Sequence, residues 1–225
     1  MLYITDKTTS DIAIIMATNS SELEKALKEY IDSPSGDGRH RLRKLLMTAS
    51  LITRLNLLLH VRGRSYTTWS GLHGAALSND LESIMCMLLG LTSSQKYDVL
   101  KIQTQQKETA LHKAAFHGHS TIVAHFIEDL SEQQKYDLLK LQDSHEDTVL
   151  HNAASQEQAD VVQVILASVS SQSCKQLMRI KNKSKKTFTD TWPQLNTASP
   201  PLNHLSMYVY LSNKLSVIFN SLLLG

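Results

Sequence analysis

One seven-residue pattern recurs at a fixed interval, and that interval limits the fold more than anything else in the chain. SGLHGAA starts at Ser70, TALHKAA at Thr109 and TVLHNAA at Thr148, each 39 residues after the last. The spacing persists outside the motif: QKYDVLKIQ (95–103) returns as QKYDLLKLQ (134–142) and, more weakly, as SCKQLMRIK (173–181). Thr53, Thr92, Ser131 and Ser170 keep the same step, each preceded by an apolar residue, Ile52, Leu91, Leu130 and Val169. Such a chain stacks one supersecondary unit several times, because the apolar face of a single unit is covered only by its neighbours.

The second unit shows what is being repeated. Thr109 is a helix N-cap, its hydroxyl accepting from an orphan amide of the first turn, and Leu111, Ala114 and Ala115 follow as an apolar stripe at helical spacing. The alanines let a neighbouring helix approach closely. Gly118 closes this short helix where a positive φ is needed, and Ile122, Val123, Phe126, Ile127 and Leu130 line the buried face of a second. Ser131-Glu132-Gln133-Gln134 reads as a capping box, as does Thr92-Ser93-Ser94-Gln95. A third short helix, with Tyr136, Leu138, Leu139 and Leu141 as its apolar contacts, therefore precedes the polar turn at 143–147.

Thr-x-Leu-His-x-Ala-Ala after a polar turn, then Gly-His and an Ile-Val helix, resembles the ankyrin repeat, and Thr109 to Leu130 carries the pattern most fully. Residues 70–91 and 148–169 carry it as well, whereas 1–40 and 187–225 do not. The resemblance implies an all-α, ankyrin-like helical solenoid of stacked helix-turn-helix repeats. Three features depart from it. The period is 39 rather than about 33 residues, which the third helix accounts for. Gly71, Ala110 and Val149 stand where the family has proline at the first helical position, losing some preorganisation. Thr68, Lys107 and Glu146 replace the turn glycine, so the hairpin tips are expected to be less regular.

Residues 20–60 read as a divergent capping repeat. A capping box at Ser21–Glu24 opens a helix with Leu23, Ala26, Leu27, Tyr30 and Ile31 on one stripe; a second helix, about 40–51, sets Leu45, Leu46 and Met47 in register with Ile84, Met85 and Cys86. Residues 61–186 then hold three repeats, and 1–19 form an N-terminal segment open to disorder. From Thr187 the motif lapses, leaving a non-repeat tail, 187–225. Within it Leu211, Leu215, Ile218 and Leu222 mark an apolar helix whose central Lys214 makes membrane spanning costly, so packing on the stack is the favoured expectation.

His112, His117, His119 and His125 lie within fourteen positions and raise the question of a metal or catalytic site. The resemblance implies scaffold roles for His112, with its equivalents His73 and His151, and for His119 in the Gly-His turn. His117 and His125 have no histidine equivalents, and zinc needs three or four ligands converging within about 2.0–2.3 Å of one point. No metal or cofactor is expected. No phosphate-binding glycine loop, nucleophile elbow or HExxH occurs, so no enzymatic activity is expected. A net charge of +2 and 6% aromatic residues give no basis for nucleic-acid binding. The one basic run, Lys181 to Lys186, reads as a solvated segment, with contact to phosphate or an acidic partner as its sharper alternative. Cys86 and Cys174 imply no disulfide framework, and the N-terminus is a poor secretory signal, so a cytoplasmic, intracellular protein is expected.

The function implied by the resemblance is that of a non-catalytic protein-interaction module or scaffold. Its partner would meet the tips and the exposed face of the first helices: Gln106, Lys107, Lys113, Phe116 and His117 in one repeat, His145, Glu146, Asn152, Ser155 and Gln156 in the next. Phe116 is the first choice of hot spot, against packing on an adjacent repeat. Two rival readings remain: a membrane-associated segment of a larger receptor, channel or scaffold, held through 205–225, and a truncated gene product.

Overall fold

The computed structural model describes residues 21–33, 36–60 and 69–192, in which every regular element is an α-helix. They fall into two compact units, one ending at Ile102 and the other starting at Gln103. The sequence readings for 1–19, Thr68 and 205–225 concern segments outside the described residues.

The first unit holds α1 (21–32), α2 (Gly36–Thr48), α3 (Leu51–His60), α4 (Gly71–Leu77), α5 (Leu81–Leu88) and α6 (Ser93–Leu100). Leu23, Ala26, Leu27, Tyr30 and Ile31 of α1 are buried together. They close on α4, where a Cβ added to Gly71 would lie 2.7 Å from Leu27 Cδ1, which is why this first helical position carries no side chain. Helix α2 packs on α5, and α3 on α6. The burial register of α2 differs by one position from the sequence alignment. Leu46 shares the burial of Ile84, and Met47 shares the exposure of Met85, because the longer α2 presents Leu42 and Leu46 to the core.

A buried carboxylate ties this unit together. Asp80 caps α5 by accepting from Ser83 N at 3.1 Å, and it also receives Ser83 Oγ at 2.7 Å and Tyr30 Oη at 2.8 Å. Arg39 Nε lies 3.0 Å from it, and Arg43 bonds to it from the same helix, α2. Burial alone would raise the Asp80 pKa, but the hydrogen bonds from Ser83, Tyr30 and Arg43 outweigh it and hold the carboxyl below its usual range.

The second unit comprises α7 (Ala110–Phe116), α8 (Ser120–Ile127), α9 (Glu132–Leu139), α10 (Val149–Ser155), α11 (Ala159–Ser168), α12 (Ser171–Met178) and α13 (Phe188–Thr191). Three rows form: α7, α10 and α13; α8 and α11; α9 and α12. Fully buried Ala114, Ala115, Ala153 and Ala154 keep the first row close, and Phe126, Val162 and Ile165 fill the space behind it. The third helices α6 and α9 start at the capping boxes read from the sequence, whereas α12 starts at a simple cap, Ser170 Oγ accepting from Ser173 N at 3.2 Å. In α9, Ser131 Oγ accepts from Gln134 N at 3.3 Å while Gln134 Oε1 accepts from Ser131 N at 2.9 Å.

Past Lys186, where the sequence motif lapses, one more first helix follows. In α13 aspartate does the work of the motif histidine: Asp190 Oδ2 accepts from Thr187 N at 2.8 Å and from Thr187 Oγ1 at 2.7 Å. Phe188 and Trp192 are buried as this helix lies against α10. The two aromatics supply the apolar cover that the interior of the row requires.

Candidate protein-binding face of the second unit

Three hairpin tips, 103–108, 142–147 and 181–186, precede α7, α10 and α13. Thr104, Asp143 and Asn182 anchor them from equivalent positions. Each donates its amide to the carbonyl four residues on, at 2.8 Å to Glu108, 3.0 Å to Asp147 and 2.9 Å to Lys186. Their side-chain oxygens turn inward as well. Glu108 N donates to Thr104 Oγ1 at 3.2 Å, Asp147 N to Asp143 Oδ1 at 3.0 Å, and Lys186 N to Asn182 Oδ1 at 3.1 Å.

These nearly equal distances correct the expectation of irregular tips. Lys107, Glu146 and Lys185 adopt the left-handed conformation that glycine would favour, with φ of 57°, 60° and 61°. The turn geometry is kept, and the missing glycine appears as local backbone strain instead. Each tip is also tied to the next: Ser144 N donates to Gln106 O at 2.8 Å and Lys183 N to His145 O at 3.0 Å. Gln103 and Gln142 strengthen the tie by reaching across with their amides. Gln103 Nε2 donates across to Gln142 O at 3.4 Å and within its own tip to Lys107 O at 2.6 Å; Gln142 Nε2 donates across to Lys181 O at 3.1 Å and within its own tip to Glu146 O at 2.5 Å.

The motif histidines hold the tips to the helices. Thr109 N donates to His112 Nδ1 at 3.2 Å, so Nδ1 is an acceptor and the proton sits on Nε2, which donates to Asp147 O of the next tip at 3.3 Å. His151 repeats this toward Lys186 O at 3.0 Å. Burial pushes the His112 pKa down, outweighing the carboxylates of Asp143 and Glu108, so the ring that makes this bridge is neutral.

Of the residues expected at the partner face, Gln106, Lys107, Phe116, His117, His145, Glu146, Ser155 and Gln156 are exposed. Phe116 is 41% exposed at the end of α7. Its ring meets His117 edge-on at 5.2 Å, and His117 stacks on His119 at 5.9 Å. Burial, then His119 and Lys113, lower the His117 pKa, which favours the neutral form of that ring beside Phe116. Two residues differ from expectation. Lys113 is half-buried, its Nζ 2.5 Å from Glu108 Oε2, so its charge is matched locally. Asn152 is only 8% exposed, because α10 has α7 on one side and α13 on the other; it does not belong to the open face.

His125 pairs with Glu128 at 3.4 Å and stands apart from the tips. Among the described residues no group of three or more His, Cys, Asp or Glu is arranged to hold a metal ion, and no helix is long and apolar enough to cross a membrane. The residues that shape the tips, Thr104, Asp143 and Asn182, escape a search for chemical motifs. Their signal is a small polar side chain recurring at the repeat interval.

None of the curated proteins compared with the chain matches it. A family model described as ankyrin repeats matches residues 72–178 in three copies. That span runs from the first turn of α4 to the end of α12 and includes the first two tips with His112 and His151, while the third tip and α13 lie beyond it. Residues 72–178 are thus identified as ankyrin repeats, in three copies.

Proposed function

We propose that the chain is a non-catalytic scaffold whose protein partner docks on the tips and the α7 and α10 ends of the second unit, with Phe116 at the centre of the contact. Ankyrin repeats are generally protein-interaction modules. The observation that carries the finer reading is the exposure of Phe116 beside His117 at the end of α7, a helix whose start is held by the ordered tip before it. A rigid aromatic set on an ordered surface loses little conformational freedom on binding, the property of interface hot spots. Its equivalents, Leu77 and Ser155, are not aromatic, so the repeat itself does not call for the ring. Neither Cys86 nor Cys174 is disulfide-bonded among the described residues, which fits a reducing, intracellular setting.

The test is affinity capture with the full chain, comparing Phe116→Ala with Gln163→Ala, an exposed position on α11. A partner meeting this face should bind the first variant about 30-fold more weakly, corresponding to roughly 2 kcal/mol, and the second normally. Equal capture by the two would reject the assignment.

A further inference from the structure

We propose that the third tip, 181–186, is a docking point for a short acidic segment of the partner protein, with its direction set by the oppositely charged tip beside it. The inference rests on the reading of the second unit as a protein-binding surface, and it adds the partner's chemistry. Lys181, Lys183, Lys185 and Lys186 are all exposed, and so is Arg179 just before them. No Asp or Glu occurs between Asp160 and Asp190. Among the described residues no carboxylate lies within ion-pair distance of the four lysines. Asp190, the acid that follows, accepts two hydrogen bonds from Thr187 and is near enough to Lys181 and Lys186 for their charges to help lower its pKa, which leaves Lys183 and Lys185 without a carboxylate partner among the described residues.

These lysines do not sit on a loose segment. Asn182 Oδ1 accepts from Ser184 N and Lys186 N, both at 3.1 Å, and the tip is bonded to its neighbour through Lys183 N and through Asn182 Nδ2, which is 2.7 Å from Asp147 Oδ1. Binding an anion therefore orders only the lysine side chains. The neighbouring tip has the opposite character, with Asp143, Glu146 and Asp147 and no lysine or arginine. A polyanion lying across both tips, whether duplex nucleic acid or an anionic membrane, would be repelled by Glu146, which is exposed. A short acidic stretch confined to the third tip avoids that repulsion, and a basic flank over the second gains from it.

The test is fluorescence anisotropy on the full chain with a labelled peptide, lysine-rich in one half and glutamate-rich in the other. An all-lysine peptide, a single-stranded oligonucleotide and phosphatidylserine vesicles serve as rivals. The two-sign peptide should bind best, and its affinity should fall about tenfold or more as salt screens the contact. The quadruple variant K181Q/K183Q/K185Q/K186Q should lose this binding, and the corresponding four Lys→Arg changes should keep it, with the helical circular dichroism of each unchanged. Absence of binding by the parent chain, retention by the glutamine variant, or equal or tighter binding of oligonucleotide or vesicles would each overturn the proposal. Partner capture that still depends on Phe116 would then leave the binding face standing and remove only its charge assignment.

Discussion

Replacing Lys107, Glu146 and Lys185 together with glycine should stabilise the protein, although all three substitutions delete exposed side chains. At φ of 57°, 60° and 61° the Cβ crowds its own backbone, at a cost of about 1–2 kcal/mol per residue. Glycine removes that cost but frees the unfolded chain, which returns about 0.5–1 kcal/mol. The net gain is thus about 0.5–1 kcal/mol per tip. The three side chains are not hydrogen-bonded to one another, so roughly 1.5–3 kcal/mol is expected for the triple variant. In a chain of 225 residues that raises Tm by about 3–12 °C. Urea unfolding followed by circular dichroism should show a higher midpoint at unchanged slope. The triple alanine variant removes the same charges while keeping the Cβ, and it should match the parent. Glycine variants no more stable than their alanine counterparts would refute the strain argument.

Two further outcomes follow from buried polar groups. Because burial lowers the folded pKa of His112 below its unfolded value of about 6.5, the unfolded state binds the extra proton first. The stability contributed by the neutral ring is complete above about pH 6.5 and is lost as the pH falls below it; urea midpoints at pH 7.5, 6.5 and 5.5 should decline, and less so for His112→Gln. Asp80→Ala should cost about 3–5 kcal/mol, read as a lowered urea midpoint, since Arg39, Arg43 and Tyr30 lose the carboxylate they converge on.

Much of this architecture was legible because its signals are local. Ser131 and Gln134 form their box within one turn, so the sequence alone located the third helix and explained the long period. The Thr109–His112 bridge is equally short in range. What escaped depends on neighbours. Asn152 looked exposed by its place in the repeat, but α13 covers that side of α10, and α13 carries Thr-Phe-Thr-Asp in place of the recognisable motif. The regular tips were hidden for a different reason: glycine marks a left-handed position only where the chain does not accept strain, and here it does.

The third helix adds more than length. Glu132, in the first turn of α9, accepts from Ser170 N at 2.8 Å and Ser173 Oγ at 2.6 Å, so it caps α12 of the following repeat as well as starting its own helix. Lys135 of the same helix donates to Ser168 O at 3.3 Å. On the opposite edge the tips are joined by their own backbone bonds and by Gln103 and Gln142. The helices of the second unit are thus clamped along two edges, and a polar cross-link at each fixes register more tightly than apolar contact between rows could. Register is what a tip-borne charge pattern needs. Moving one repeat against the next would separate Asp147 from Asn182 and with it the acidic tip from the basic one. The long period therefore links stability to recognition: the residues that lengthen the repeat hold the order in which a partner meets opposite charges.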